Sequence, residues 1–296
     1  MIPVESALAA AHAQQNQHSH AHGWRARLTL RTEDRAGRSA LMRREHIGPL
    51  RVQKALYPEG DAVCQVLVLH PPAGIAGGDE LELDIAAGAG SHLQLTTPGA
   101  GKWYRSIGPW AHQRIHLTAE AGARLEWLPQ ETILFDEALA HQRIDISLAS
   151  SARAMGWDIL CIGRQARGER FTRGTLRQGL DLRVDSRLLW TERGSLQGSD
   201  ALLAADVALA GCTVSGTFWM YAEGLNRALL DSLREEAFAE GQAGITMPAG
   251  PDKGLVVARA IGDKAESLRH YFTRLWQRAR PVVIGREALA PRIWST

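Results

Sequence analysis

The chain has 296 residues, 45% hydrophobic and 22% charged, which is the profile of a globular protein large enough for one big domain or two ordinary ones. Its formal net charge of +2 provides no strong field, which argues against nucleic acid or an anionic membrane as a partner. Three dispersed cysteines (Cys64, Cys161 and Cys212), a MIPVESALAA start without a basic signal region, and an apolar run Val207–Ala222 of only 16 residues together argue for a cytoplasmic protein with reduced thiols and no membrane span.

Residues 1–23 are rich in Ala, Gln and His and show no apolar period, so a mobile tail is expected there. His12, His18, His20 and His22 cluster within it. Neutral imidazoles suit nickel, zinc or copper, so the tail reads either as a weak metal-binding arm or as an incidental feature.

From Trp24 to about Arg193 the chain reads as short strands. RARLTLRT, AVCQVLVLH, DELELDI, SHLQLTT, HQRIHLT, ARLEWLP, HQRIDISLA and WDILCIG follow one another, mostly alternating apolar with polar residues, with Gly and Pro between them. A weak repeat runs through this part. IAAGAGSHLQL from Ile85, LTAEAGARLEW from Leu117 and LASSARAMGWD from Leu148 each give an apolar residue, a small-residue turn and a new strand. Such a period suggests stacked coils of a β-solenoid, with a β-sandwich as the other architecture these strands allow.

The last third changes character. DVALAGCTVSGTFWMYA from Asp206 reads as strand, LNRALLDSLREEAFAE from Leu225 as an amphipathic helix, and AGITMP and GLVVARAIG as two strands. DKAESLRHYFTRLWQRAR is the clearest helix. Asp263 and Glu266 give a capping-box pattern, Leu268, Tyr271, Phe272, Leu275 and Trp276 form its apolar stripe, and Pro281 should stop it. The expected organisation is therefore a tail over 1–23, a solenoid-like β region over 24–205, and a smaller α+β region with two helices over 206–296 packed on it.

The glycine-rich stretch HPPAGIAGGD, from His70 to Asp79, is no phosphate loop, because it has no lysine. TTPGAGKW, from Thr96, starts with Thr where the phosphate loop needs Gly and follows Lys102 with Trp. Gly77 and Gly78 instead allow a tight turn or a close backbone approach. No G-x-S-x-G elbow and no C-x-x-C or H-E-x-x-H pattern is present. Acidic residues near strand ends, Asp79, Asp158 and Glu192, read singly as surface carboxylates, although stacked coils could align them. Arg164 to Arg187 contains seven arginines among Glu169, Asp181 and Asp185, which reads as a solvated face or as a basic patch.

In order along the chain stand LYPEGD, LHPPAGIAGGDEL, LTTPGAGKWYRS, LEWLPQETILF, WDILCIGRQARGERF and PRIW. Together they resemble the UreD family of urease accessory proteins, called UreH in some bacteria, over nearly the whole chain after Trp24. His70, Gly77, Gly78, Lys102, Tyr104 and Arg105 belong to the two most specific motifs. Ala73 stands where the family usually has Gly, and Trp103 where Phe is usual. The resemblance implies a mostly β, solenoid-like fold with two helices. It implies a non-enzymatic scaffold that binds the urease apoprotein and the accessory proteins UreF and UreG, the latter a GTPase that carries nickel. It implies no tightly bound cofactor but nickel in transit to urease, through an internal passage whose polar residues fall on Asp79, Asp158 and Glu192. A β-solenoid enzyme acting on polysaccharides is the alternative from another class, with the Arg164–Arg187 segment at its groove. A nickel-storage protein resting on the tail histidines is a third.

Overall fold

The computed structural model describes residues 23–250 and 253–295. Among them the strands in chain order are β1 (Arg25–Arg35), β2 (Arg38–Ile47), β3 (Arg51–Val52), β4 (Cys64–Leu69), β5 (Glu80–Ala87) and β6 (His92–Thr96). Next come β7 (Gly101–Trp103), β8 (Ala111–Ala119), β9 (Arg124–Leu128), β10 (Thr132–Leu134), β11 (Leu139–Leu148) and β12 (Arg153–Ile162). The last are β13 (Thr175–Val184), β14 (Arg187–Gln197), β15 (Val214–Tyr221), β16 (Gly241–Thr246) and β17 (Leu255–Gly262). Two α-helices join them, α1 (Arg227–Arg234) and α2 (Ala265–Val283).

The strands form two facing sheets. One runs β14-β13-β11-β8-β5-β1-β2, with parallel pairing from β13 through β1 and an antiparallel strand at each end. The other runs β16-β17-β15-β12-β9-β6-β4-β3, parallel from β12 to β4, with β10 bridging β12 and β7. Successive coils β5–β6–β7, β8–β9–β10 and β11–β12 therefore stack on one another. This is a solenoid-like fold made mainly of strands. It follows from the alternation in the sequence: Ala26, Leu28 and Leu30 of β1 and Leu81, Leu83 and Ile85 of β5 point inward, and their odd-numbered or even-numbered neighbours face out.

The repeat lies at one end of the stack, where each coil passes from the first sheet to the second. Its third copy begins two residues earlier than the sequence reading placed it. Ile85 pairs with Leu117 and Leu117 with Ile146, not Leu148, while Arg124 pairs with Arg153. Ile146 and Leu148 both point into the core, so a two-residue slip leaves the apolar pattern unchanged and invisible in the sequence.

The antiparallel strands β15, β17 and β16 continue the second sheet beyond β12. The outer face of this extension is covered by α1 and α2. Strand β12 is consequently buried on both faces, with Ala154, Leu160 and Ile162 toward the other sheet and Met155, Trp157 and Ile159 toward α2. The expected apolar stripe of α2 is buried as read. Its ends differ. Lys264, without a side-chain cap bond, precedes the first turn in place of an Asp263 capping box, and the helix runs to Val283 past Pro281. Pro281 withholds one N–H only, and the amides of Ile284 and Gly285 both return to the Arg280 carbonyl. Helix α1 is half the expected length, capped by Asn226 and ending at Arg234. Asp206–Gly211 is turns and Cys212–Thr213 irregular rather than strand, following a short 3-10 turn capped by Asp200.

One buried charge network pins α2 to the solenoid. The Arg280 guanidinium, fully buried, donates to both oxygens of Glu126 at 3.0–3.2 Å and to both oxygens of Glu59 at 2.7–2.9 Å. Glu126 also accepts from the Trp276 indole N–H at 2.7 Å and lies 2.7 Å from His92 Nε2. Burial opposes ionisation of Glu126, but His92 and Arg280 outweigh it and hold the carboxyl down at about 2. Arg280→Met should cost about 3–5 kcal/mol, because the buried Glu126 and Glu59 lose the guanidinium they share. A urea titration of the variant against the parent reads this directly, and a shift below about 1 kcal/mol would contradict it.

Candidate functional site

The register of the first sheet builds an unusual inner row. Gln113 of β8, Gln142 of β11 and Gln178 of β13 are in-register neighbours. Most other inward positions on these strands are Ala, Ile or Leu. The amides link in one direction: Gln178 Nε2 donates to Gln142 Oε1 at 2.7 Å, and Gln142 Nε2 donates to Gln113 Oε1 at 3.3 Å. Gln178 Nε2 also donates to Asp158 Oδ2, 3.2 Å away on the facing sheet.

Asp158 sits where β12 changes partner. Arg153–Gly156 pair with β9, Leu160–Ile162 pair with β10, and Trp157–Ile159 between them have no ladder neighbour on that side. Two cavities meet there. A cavity of about 560 Å³ reaches Glu192, Thr217 and Arg259, and a second of about 340 Å³ reaches His70, Lys102 and Gln130. Gln142 and Asp158 line both, so the two cavities share this wall, the neck of any route between them. Burial pushes the Asp158 carboxyl up to about 6, and Glu192 adds to the rise, while the Gln178 and Gln142 amides pull against it. Glu192, in the larger cavity, is ion-paired with Arg259.

The turn from His70 to Asp79 closes the smaller cavity. Its chain reverses through the Ala73 N–H to His70 carbonyl bond, with Ala73 at a φ of +62°. Gly78, at φ +94°, donates to the Trp110 carbonyl and packs directly on Gly23, and a side chain at Gly77 would strike Ser106. Asp79 is the clasp of this turn. Its Oδ1 accepts from the Trp24 N–H and its Oδ2 from the Ala76 N–H, both at 2.8 Å. His70 borders the cavity. Burial pushes its imidazole down, and the Asp79 carboxylate opposes the shift.

The structure thus brings Asp158 and Glu192 together on one cavity and places Asp79 in the wall of the turn beside the other. Lys102 lines the smaller cavity, the Tyr104 amide donates to Ile75 and its ring packs edge-on against Phe135, and Arg105 is exposed. His12, His18, His20 and His22 lie outside the described residues. Of the arginines between 164 and 187, Arg164 pairs with Glu169, Arg173 with Glu137 and Arg183 with Asp181. Among the described residues no three His, Cys, Asp or Glu side chains converge as a ready-made metal site, and no helix is long and apolar enough to cross a membrane. Sequence reading missed the glutamine row. Its signal was present, since AHQRI occurs twice, at Ala111–Ile115 and at Ala140–Ile144.

The sequence matches known proteins along its length. The sequence model of the family described as UreD urease accessory protein covers residues 24–295. The chain is 49% identical to the urease accessory protein UreD of Dechloromonas aromatica, over 95% of this chain and 98% of that protein. It is 45% identical to the UreD of Azoarcus sp. strain BH72, over 93% and 95%, and 46% identical to that of Nitrosococcus oceani, over 92% and 90%.

Two stability outcomes follow from the site. A left-handed alanine is strained, so Ala73→Gly should leave the turn intact and stabilise the protein by about 0.5–1 kcal/mol, seen as a higher melting temperature. Asp158 has a folded pKa near 6 against an unfolded value near 3.8, so its ionisation costs stability progressively as pH rises from about 4 to 6, and the cost is complete above that. Asp158→Asn should therefore be more stable than the parent by about 1–3 kcal/mol at pH 7.5, with the difference gone below pH 4. Equal denaturation midpoints at both pH values would refute this.

Proposed function

Because the chain belongs to the UreD family of urease accessory proteins, we propose that it is a non-enzymatic scaffold of the cytoplasm that binds urease apoprotein with UreF and UreG and lets nickel pass through its interior into urease. Nickel is cargo here, neither a resident cofactor nor a reactant. The observation that carries the reading is the shared border of the two cavities at Asp158 and Gln142.

The chemistry suits transit. Nickel is a borderline cation that oxygen ligands and water hold loosely and paired thiolates hold tightly. Cys64 and Cys161 are buried, and burial pushes their thiols up to about 11 and about 12, so neither supplies a thiolate. Glu192 gives the larger cavity a carboxylate that Arg259 already neutralises in part, which weakens its hold on a cation. Asp158 gives the neck a single carboxylate, ionised in most molecules at neutral pH. The glutamine carbonyls each keep a second lone pair beside it. An ion in the neck thus exchanges water for neutral oxygens and one negative charge, and no group of ligands closes around it. Asp79 serves the same route indirectly: both its oxygens are engaged, so it fixes the turn that walls the smaller cavity.

The test uses cells carrying the urease structural genes and the remaining accessory genes. Omitting this chain should leave urease with little nickel and little activity. Asp158→Ala and Glu192→Gln should co-purify with urease and the accessory proteins as the parent does, yet lower urease nickel content by about tenfold. Asp79→Ala should instead weaken the protein itself, because two backbone N–H groups lose their acceptor at about 1–3 kcal/mol each. Full nickel loading with both Asp158→Ala and Glu192→Gln would remove the passage, and full loading without the chain would remove the scaffold.

A further inference from the structure

The outer face of the first sheet holds a cationic patch that the passage does not use. The ladder sets His112 of β8, His141 of β11 and Arg177 of β13 in one row across the strands. Arg114 and Arg143 stand in the next row, two residues along, which ends at Gly179. His112 and His141 meet edge to face, with ring centroids 5.4 Å apart. The Arg177 guanidinium lies over the Trp110 ring at 4.7 Å, and the indole holds it against the sheet. The glycine-rich turn fixes this side of the patch, because Gly78 N–H donates to the Trp110 carbonyl and His112 N–H to the Asp79 carbonyl. Gly179 leaves the neighbouring Arg143 its place, since a Cβ there would lie 2.9 Å from Arg143 Nη1.

The charges on this face do not balance. Arg114, Arg143, Arg177, Arg183 and Arg193 stand against Asp145 and Asp181, whose ion pairs engage Arg143, Arg183 and Arg193. Among the described residues Arg114 and Arg177 are both exposed and form no ion pair. The carboxylates of the adjoining strand, Glu80 and Glu82 of β5, are engaged by Arg25 and Arg27 at 3.7 and 3.8 Å. The surplus is felt locally: burial pushes the His141 imidazole down, and His112, Arg114, Arg177 and Arg143 all push it the same way. Such a surface repels itself within one chain and is relieved by an anionic partner.

The shape of the patch selects the anion. It is about 10 Å wide from β8 to β13. Its backbone N–H groups are spent in the ladders, so no nest of them is left to cradle a phosphate. A long polyanion would run onto Glu80 and Glu82, whereas a short acidic segment stays within the patch and offers each guanidinium a carboxylate. We propose, resting on the scaffold reading above, that Arg114 and Arg177, flanked by His112 and His141, dock an acidic segment of one of the proteins that assemble with this chain.

Two readouts on the full-length chain test this. The first is the anisotropy of a short dye-labelled peptide of alternating Glu and Ser. The parent should bind it, more weakly as salt rises, and should not bind the same peptide with Gln in place of Glu. Arg114→Glu with Arg177→Glu should bind it about tenfold more weakly. Arg43→Glu with Arg44→Glu, the same charge change on β2, should bind it as the parent does. The second readout is recovery of urease apoprotein, UreF and UreG with the tagged chain from cells carrying the urease structural and accessory genes. The patch variant should recover at least one of the three about tenfold less. Equal binding of the two peptides overturns the proposal, and so do an equal loss in the β2 variant and full recovery of all three proteins by the patch variant. Tighter binding of polyphosphate than of the peptide overturns it in favour of a phosphate site. Self-association of the parent that the patch variant loses, seen by sedimentation, overturns it in favour of a second copy. If the Glu variant does not fold, Arg114→Gln with Arg177→Gln gives the same test with a loss of about threefold. Urease loading separates the two readings. Full nickel loading without the chain removes the scaffold and leaves the peptide to decide the face, whereas full recovery of partners by the patch variant removes the face and leaves the scaffold.

Discussion

Everything in this fold depends on the fixed register of its parallel ladders. Five parallel strands of the first sheet are locked residue to residue, so a position on one coil becomes a row across all of them. Rows of Leu, Ile and Ala make the core between the sheets. One row on the same inner face is glutamine over three strands, and the amides satisfy one another in sequence. An isolated buried glutamine would be costly, whereas a row of them bonded head to tail keeps a polar wall inside an apolar stack. The register that excludes water from the core is the same register that admits a polar line through it.

The second sheet supplies the opening. Strand β12 is shared between two ladders, and the three residues where it changes from β9 to β10 leave a gap in the pairing. A gap there would weaken the strand if its other side were free. It is not: β15 pairs with β12 across the break, Asp158 opposite Thr217, and α2 covers the outer face. The Arg280 network with Glu126 and Glu59 then ties α2 to coils on the opposite side of the break. A locally unfavourable arrangement, with one carboxylate held in the neck, is thereby carried by a well-packed exterior. Such placement is common where function conflicts with stability.

Much of the scaffold was legible in the sequence, and the reasons are physical. Alternation in RARLTLRT and DELELDI is the direct trace of one buried face, and the α2 stripe is the trace of one buried helix side. What alternation does not encode is a shift by two, so the third repeat copy was misplaced, and an uncharged run such as Val207–Gly211 looked like strand although it folds as turns. The site was less legible. Asp158 and Glu192 are 34 positions apart, and only the ladders bring them to one cavity. Gln113 and Gln142 were hidden because glutamine at an alternating position reads as an outward residue. Period-two spacing in fact puts Gln113 on the face of Ala111, Ile115 and Leu117, and the identity of the two AHQRI segments, combined with their register, sets it beside Gln142.

The rigid Gly/Pro turn poses a question of division of labour. A passage for a metal ion has to satisfy two demands: weak binding, so that the ion leaves, and walls that keep their shape, so that the route stays open. Oxygen groups that are few and already hydrogen-bonded meet the first demand, and the neck is made of these. The second demand falls to the turn after β4, whose carboxylate is clasped by two backbone amides. On this argument the turn spends its glycines on bringing the backbone of Gly78 against Gly23 so that Asp79 can reach the Trp24 amide. The carboxylate that looked like the business end of the motif is its fastener.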